Sequence, residues 1–299
     1  MNPVREKTEY FLTKGLLTVL RHCPDAVIYI ICRTVAAAVY LLAVSRRRIT
    51  MTNLRLAFPD LSGAERRRIA RKAYDHFGQL LAESAMVLSQ KIRREDLGKM
   101  VDSSDLPKLL ELEKNSPTGI LFITGHLGNF ELLAHYTGCQ LRKGGAVIFR
   151  RGSNRLIDER IVMPLRQSFG NQAIYKERAL PLIVRTLRKG NHVGMLIDIK
   201  TNSQQGVPIT FFGEKTLALK SSAYLQVKLG VPVVAISMAR VAPKQYKLVV
   251  GEPILWKDDG TPQDEQVVKL AQKHHHAIEE LIRKYPTQWL WMHDRWKKS

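Results

Sequence analysis

The spacing of apolar and polar residues divides the chain into three regions. The first is an apolar run over 26–44, interrupted by one charge, Arg33, and about the shortest length that can cross a bilayer core. The second, 63–88, has apolar residues at helical spacing and predicts a long amphipathic helix. In the third, from residue 118 onward, short apolar runs alternate with helical patterns. The predicted strands are 119–124, 146–149, 173–175, 192–198, 232–239 and 246–250.

Strands that alternate with helices are typical of parallel sheets with crossover helices. We expect helices near 156–169 and 180–187, one that ends near Gly230, and a last one over about 262–284, with a Gly-rich polar loop after residue 198. The fold class is therefore predicted to be α/β, with a central, mostly parallel sheet flanked by helices.

The domain prediction separates an N-terminal membrane-associating segment, 1–45, from a single α/β domain, 46–299. Basic residues flank the apolar run on both sides, so their distribution gives no clear orientation. Because a charge near the middle of a span is costly, we favour a helix that dips into or lies along the cytoplasmic leaflet. A true span and an ordinary core helix stay open. A cluster of three tryptophans likewise fits core packing or a membrane-boundary anchor: Trp289, Trp291 and Trp296.

Composition excludes several classes of protein. The 299 residues are 45% hydrophobic and 25% charged, which rules out a wholly disordered chain and a multi-span transporter. The net charge of +20 predicts an anionic partner: nucleic acid, an acidic lipid surface, a phosphorylated substrate or an acidic carrier protein. Three cysteines without CxxC spacing suggest no zinc site and no disulfide framework, and they fit a reducing compartment. We expect neither a metal nor a cofactor.

The best candidate chemistry lies in TGHLGNFE, 124–131, on a predicted strand-to-helix turn. Asn129 can cap the following helix, so that Glu131 falls in its first turn and folds back toward His126. A carboxylate that fixes one imidazole tautomer leaves the other nitrogen free to take a proton from a hydroxyl or amine nucleophile, as acyl transfer requires. The alternative is a capping turn with a surface hydrogen bond between the His and the Glu.

The His-Glu spacing alone has little specificity, since it recurs at His274/Glu279 and His275/Glu280. Those residues lie in a predicted helix, where five positions turn about 140° and separate the side chains. Phosphate-loop, nucleophile-elbow and dinucleotide-binding patterns do not occur in the sequence.

A basic stretch follows the turn. Residues 142–189 contain twelve Lys and Arg against three acidic residues, so a phosphorylated head group or an acidic carrier could dock there. The candidate substrate-binding residues are Arg150, Arg151 and Lys176, with Asn129 on the turn itself. A solvated basic face without a ligand is the alternative.

Arg166 and Asp198 are expected to form a charged pair beside the turn. Asp198 ends an apolar run, and ligand crevices form at the carboxyl ends of strands in open α/β sheets. A poorly hydrated carboxylate needs a cation to stay ionised, and Arg166 is the candidate. The alternative is that Asp198 caps a loop while Arg166 faces solvent.

With these residues in view, the sequence resembles the lipid A late acyltransferase family, the lauroyl and myristoyl transferases that share an HxxxxD/E motif with glycerolipid acyltransferases. The resemblance covers nearly the whole chain and rests on ordered motifs: NLRLAFPDLS, HLGNFE, FRRGSNRLID with Arg166 after it, LRKGNHVGMLID, the triplet Phe211-Phe212-Gly213, and QWLWMHDRW. It implies a glycerolipid acyltransferase-like fold, with His126 and Glu131 as the catalytic pair and Arg166 and Asp198 as further charged site residues.

The family's activity is implied in the same way. It is the transfer of a fatty acyl chain from acyl carrier protein to a hydroxyl of a phosphorylated, acylated disaccharide, a lipid A precursor, at the cytoplasmic face of the cell inner membrane. The chain departs from the usual pattern at Ile199-Lys200 and at LALKSSAYL, which leaves the acceptor open. Related enzymes use acyl-CoA and acylate other membrane lipids, so that donor and such an acceptor are the alternative.

Two rivals come from other classes of protein: a basic nucleic-acid-binding protein and a lipid-binding module without catalysis. The net charge supports the first, but the sequence contains no helix-turn-helix, RNP or finger pattern. We therefore expect an anionic membrane surface as a partner, no nucleic acid, and a monomer.

Overall fold

The structure is a computed structural model that describes residues 3–149, 151–177, 179–202, 204 and 206–296. The helices are α1 (Pro3–His22), α2 (Asp25–Leu42), α3 (Val44–Ala57), α4 (Gly63–Leu88), α5 (Leu97–Met100), α6 (Leu106–Asn115), α7 (Phe130–Gln140), α8 (Arg155–Ile157), α9 (Met163–Ser168), α10 (Ala179–Arg188), α11 (Ser221–Leu229) and α12 (Gln263–Lys284). A π-helical turn, Asp158–Val162, joins α8 to α9, and 3-10 turns occupy Arg94–Asp96 and Pro286–Gln288. The strands are β1 (Val101–Asp102), β2 (Leu121–Thr124), β3 (Gly145–Phe149), β4 (Asn171–Tyr175), β5 (His192–Leu196), β6 (Gly206–Phe211), β7 (Glu214–Leu219), β8 (Val233–Ala242) and β9 (Gln245–Val250).

Within the described residues, seven strands form one sheet in the order β1-β9-β8-β2-β5-β3-β4. All neighbours run parallel except the antiparallel pair β8–β9. The predicted α/β class, with a mostly parallel sheet, is confirmed. The polar loop expected after residue 198 is wrong in part, because β6 and β7 form a separate antiparallel hairpin there.

The two faces of the sheet are covered by different helices. On β2, alternate residues point to opposite faces, as the period of a strand requires. Leu121 and Ile123 pack with α10, α11 and α12, whereas Ile120 and Phe122 pack with α6, α7 and the second half of α4. Burial on both faces explains why the central strands are almost continuously apolar.

Helix α2 contains most of the predicted apolar run and packs on α4. The contact is tight at Gly78, where an ideal Cβ would lie 2.8 Å from the Cα of Arg33. The charge of Arg33 is paired, since its Nε lies 2.6 Å from Asp75 Oδ1. Only Ile28 and Ala36 of α2 are buried, which argues against a core helix. By length and composition, α2 is the single helix in the described part of the chain that could cross a membrane.

Candidate active site

The ends of two adjacent strands bring His126 and Asp198 together. Strands β2 and β5 are parallel, and Thr124 pairs with Leu196. Each candidate residue stands two positions beyond its strand, so equal steps along parallel chains place them side by side. His126 Nδ1 lies 2.9 Å from Asp198 Oδ1, and the imidazole donates this hydrogen bond to the carboxylate.

Asp198 is held by three donors. Its Oδ2 accepts hydrogen bonds from the backbone N–H of His126 at 2.7 Å and from Trp289 Nε1 at 2.7 Å, while Oδ1 accepts from the imidazole. The carboxyl group is 2% exposed, and burial alone would raise its pKa. The charge of His126 and these hydrogen bonds outweigh burial and lower the pKa of Asp198 to about 2. Asp198 is therefore ionised and fixed in orientation.

His126 is held as the tautomer that a general base requires. Burial disfavours its imidazolium, but the charge and hydrogen bond of Asp198, together with the charge of Glu131, raise the pKa of His126. Because Nδ1 carries the proton donated to Asp198, the lone pair of the neutral ring is on Nε2. No described residue hydrogen-bonds to Nε2, and the side chain is 24% exposed. This nitrogen can accept a proton from a nucleophile.

Glu131 and Arg166 form the second charged pair of the site. Glu131 lies in the first turn of α7, as predicted, but its Oε2 accepts from Arg166 Nη2 at 3.5 Å. The predicted pairs His126–Glu131 and Arg166–Asp198 are therefore wrong, because the partners are exchanged. The strand ends place Asp198 against the imidazole, whereas the first turn of α7 directs Glu131 toward α9.

Asn129 supports the turn that carries His126. The Asn129 side chain caps α7 by accepting from Leu132 N–H at 2.9 Å, and its amide nitrogen donates to Glu83 and Tyr246 at 3.0 and 3.1 Å. The predicted cap is confirmed. Asn129 is buried and both ends of its amide are used, so its predicted role in substrate binding is corrected to one of support.

A buried ion pair, Glu83–Arg240, lies beneath Asn129. Arg240 also donates to His76 Nδ1 at 3.3 Å, and His76 Nε2 donates to the carbonyl of Gly128 at 3.2 Å. Burial, followed by the charge of Arg240, lowers the pKa of His76 to about 4 and keeps this ring neutral. The sequence did not reveal this network, because its members come from distant segments and no local motif connects them.

Two of the predicted substrate-binding cations lie at the same edge of the sheet as His126. Arg151 and Lys176 follow the carboxyl ends of β3 and β4, and both are exposed. The guanidinium of Arg151 lies 4.2 Å from the centre of the Tyr175 ring. Arg150 lies outside the described residues. The exposed positive charge thus extends along this edge of the sheet, away from the turn that carries His126.

An apolar pocket opens beside the two charged pairs, between α7 and the sheet. At the end nearest His126 it is lined by Phe130, Glu131 and Arg166, and the Phe130 ring lies 5.0 Å from the imidazole. It encloses about 880 Å³ of space free of protein atoms, counting its open part. Its apolar walls include Phe122, Leu133, Ala134, Ala146, Ile148 and Met195.

The other two His-Glu spacings do not form pairs. His274 is buried against Ser222 and Gln226, and His275 donates to the carbonyl of Ile197 at 3.0 Å. Glu279 accepts from the backbone N–H of Phe212. Among the residues that the structure describes, no group of three or more His, Cys, Asp or Glu could hold a metal ion.

The sequence is similar to a known protein family and to several characterised proteins. The sequence profile described as "Bacterial lipid A biosynthesis acyltransferase" matches residues 2–298. The lipid A biosynthesis lauroyltransferase of Escherichia coli is 24% identical over 84% of this chain and 79% of its own length. The palmitoleoyltransferase of the same organism is 26% identical over the same shares of each chain. A lipid A biosynthesis acyltransferase of Haemophilus influenzae is 24% identical over 84% of this chain and 78% of its own.

Proposed function

This chain belongs to the bacterial lipid A biosynthesis acyltransferase family, and on that premise we propose that it moves a fatty acyl chain from an acyl thioester to a hydroxyl of a lipid A precursor or a related phosphorylated glycolipid. The donor is acyl carrier protein or acyl-CoA. The observation that carries the proposal is the free Nε2 of His126, oriented through Asp198 and placed beside an apolar pocket.

The proposed reaction needs no nucleophile from the enzyme. The oxygen of the acceptor hydroxyl attacks the carbonyl carbon of the thioester, and Nε2 of neutral His126 takes the proton of that hydroxyl. The tetrahedral intermediate then collapses, the carbon–sulfur bond breaks, and the departing thiolate takes the proton from the imidazolium. The products are an ester and a thiol, and His126 is neutral again. Asp198 stabilises the imidazolium while it exists, because the two groups share a hydrogen bond.

We propose that Arg166 binds oxygen atoms of the substrate. Its guanidinium lies 4.2 Å from the centre of the Phe149 ring, and its Nη1 has no hydrogen-bond partner among the described residues. A planar guanidinium with a spare donor suits a phosphate or the oxyanion of the intermediate. Glu131 orients Arg166, and its charge raises the pKa of His126. Arg151 and Lys176 extend the same positive edge toward a phosphorylated head group or an acidic carrier.

We assign the apolar pocket to the fatty acyl chain. Its walls expose few polar groups, and its histidines are uncharged. His135 stacks on Phe169 with ring centres 4.0 Å apart, and burial, then the charge of Arg166, lowers its pKa to about 4. His192 is buried at the far end and hydrogen-bonded to Glu113, with its pKa lowered chiefly by burial. Away from Glu131 and Arg166, the uncharged, apolar walls of the pocket favour a hydrocarbon chain over a polar ligand.

We also propose that residues 1–45 associate with the cytoplasmic face of the inner membrane, while 46–299 form one catalytic domain. On α2, Ile30, Ile31 and Val35 are 63%, 53% and 51% exposed. An apolar face of this kind, on a helix that lies between the basic residues of α1 and α3, suits the interface of an anionic leaflet.

The test is acyl transfer by the purified full-length protein, followed by mass spectrometry of the lipid product. Separate reactions offer acyl carrier protein or coenzyme A thioesters, each with a lipid A precursor or with glycerophospholipid as the acceptor. Transfer to the glycolipid supports the proposal, and its mass increase identifies the acyl chain. His126→Ala should lower turnover about a hundredfold to ten-thousandfold, the usual range for loss of a general base. The matched control is His276→Ala, because His276 is exposed on α12 and pairs with Glu280. Failure of every donor and acceptor, or a His126→Ala rate close to the parent rate, would contradict the proposal.

A further inference from the structure

Residues 288–290 run beside the turn that carries His126 and hold the backbone of that turn. The N–H of Gly128 donates to the carbonyl of Gln288 at 3.1 Å, and the N–H of Leu290 donates to the carbonyl of His126 at 3.1 Å. Leu127 and Trp289 form an antiparallel bridge between these two bonds. The backbone on either side of His126 is therefore fixed by a segment that follows α12.

The side chain of Trp289 lies between those two hydrogen bonds and reaches Asp198, the hydrogen-bond partner of His126. Trp289 Nε1 donates to Asp198 Oδ2 at 2.7 Å, and the same oxygen accepts the backbone N–H of His126. Because the indole is a donor only, it stabilises the ionised carboxylate and cannot accept a proton from it. With Oδ2 held by two donors, Oδ1 is left in position for the imidazole.

Trp289 is itself fixed by packing. It is buried and contacts the Trp291 ring edge-on, with ring centres 4.6 Å apart. The rings of Phe211, Phe212 and Trp296 surround it at 6.1, 6.4 and 6.2 Å. Of the two interpretations of the tryptophan cluster, the structure favours core packing for Trp289 and Trp291. A ring with so many neighbours has one orientation, so the direction of its N–H is defined.

We propose that Trp289 is a positioning residue of the active site, which holds the Asp198 carboxylate in the rotation that orients His126. Its effect on turnover rests on the proposed function above. Without this donor, one oxygen of a buried carboxylate loses a hydrogen bond. The carboxylate then keeps two of its three donors and is held less firmly against rotation, so the imidazole loses part of its fixed alignment with the acceptor hydroxyl. Trp289 does not contact the imidazole itself in this scheme and acts only through Asp198.

The test compares Trp289→Phe with Trp291→Phe in the full-length protein. Both substitutions keep an aromatic ring in the cluster and remove one buried indole donor. Trp291 donates to the carbonyl of Pro286 at 2.6 Å and not to Asp198. We expect Trp289→Phe to lower kcat about tenfold to a hundredfold, as loss of a residue that orients a reacting group commonly does, with KM for both substrates almost unchanged. Trp291→Phe should leave kcat near the parent value. Thermal unfolding of both variants shows whether they fold equally well.

A second measurement does not depend on turnover. In protein labelled with ¹⁵N-histidine, the Nδ1 proton of His126 reports its hydrogen bond to Asp198, and it is assigned by its loss in His126→Gln. We expect Trp289→Phe to shift or broaden this resonance and Trp291→Phe to leave it in place. An unchanged resonance in Trp289→Phe would overturn the proposal, even if kcat fell, because the loss would then be structural. If the parent protein transferred no acyl chain, the proposed function would fail while the resonance still decided the role of Trp289.

Discussion

Gly125 lies against the carboxylate of Asp198. An ideal Cβ at position 125 would stand 2.9 Å from Asp198 Oδ2 and 3.1 Å from its Cγ. The residue before the proposed general base therefore has no room for a side chain, because the carboxylate that orients the base occupies that space.

We expect Gly125→Ala to lower kcat about a hundredfold, since a methyl group there displaces Asp198 and small misplacements of reacting groups carry large rate losses. The measurement is steady-state acyl transfer together with thermal unfolding. Gly98→Ala is the control, because an ideal Cβ at position 98 meets nothing within 4 Å. Parent-like turnover in a folded Gly125→Ala protein would show that the carboxylate can move without consequence.

The exchange of partners in the site predicts which double mutants are non-additive. Alanine substitutions at His126 and Asp198 should together lower kcat/KM little more than either does alone, because each destroys the same hydrogen-bonded unit. Substitutions at Glu131 and Arg166 should be coupled in the same way. The logarithmic losses at Arg166 and Asp198 should instead come close to adding. Strong coupling between those last two residues would restore the pair expected from the sequence and contradict the geometry.

The pH dependence of kcat/KM should follow the ionisation of His126. The base must be neutral, and its pKa is raised above the ordinary value of 6.5. Activity should therefore fall as the pH drops through that raised pKa, with the midpoint of the acid limb above 6.5. Glu131→Gln removes one of the charges that raise this pKa, so the acid limb should move to lower pH. Glu280→Gln, on the exposed side of α12, serves as the control. A shift to higher pH in Glu131→Gln would refute this electrostatic role.

Only part of this site could be predicted from the sequence. The apolar runs before His126 and Asp198 predicted two strands, and the carboxyl ends of parallel strands share one edge. That argument placed both residues at one site. It could not decide which carboxylate reaches the imidazole, because that depends on the rotation of α7 relative to the sheet. Glu131 and Asp198 were equally plausible by residue type.

Other features left no local signal at all. The contact between Trp289 and Asp198 spans 91 positions, and the Glu83–Arg240 pair spans 157. Buried polar groups such as these find partners through tertiary packing, which has no sequence period. The β6–β7 hairpin was missed for a different reason. Its first strand contains Gly206 and Pro208, which are typical of loops and disfavour a strand, although Val207, Ile209 and Phe211 alternate as strand residues do.

The length of the preferred acyl chain should change on substitution of Gly194, which lines the apolar pocket. An ideal Cβ there has only ordinary contacts, the nearest being Val147 Cγ1 at 3.9 Å, so a larger side chain can extend into the pocket. We expect Gly194→Leu to favour shorter acyl donors and Gly194→Ala to have a smaller effect in the same direction. Competition between donors of different length measures this preference. An unchanged preference in folded Gly194→Leu would place the acyl chain elsewhere.

The exposed face of α2 predicts a specific loss of membrane association. Replacing Ile30, Ile31 and Val35 with Gln should release a large part of the protein from membranes at high salt, where attraction between charges is screened. Folding should be little affected, because these side chains are already exposed. In the control, Gln replaces Val241 and Leu255, which are exposed apolar residues elsewhere on the surface. Equal sedimentation with membranes by both variants and the parent would contradict a principal anchoring role for this face.

If Trp289 positions Asp198 as proposed, it also sets the order in which the enzyme can become active during its synthesis. A polypeptide emerges from the ribosome with its N-terminal part first, and domains fold as units once enough of the chain is available. The apolar face of α2 is therefore synthesised long before residue 289. His126 and Asp198 are synthesised after α2 and before residues 288–290, the segment that hydrogen-bonds to them. With the proposed membrane association of α2 and the proposed role of Trp289, a nascent chain would reach the bilayer before its base is aligned, and acyl transfer would begin only once the protein is beside its acceptor.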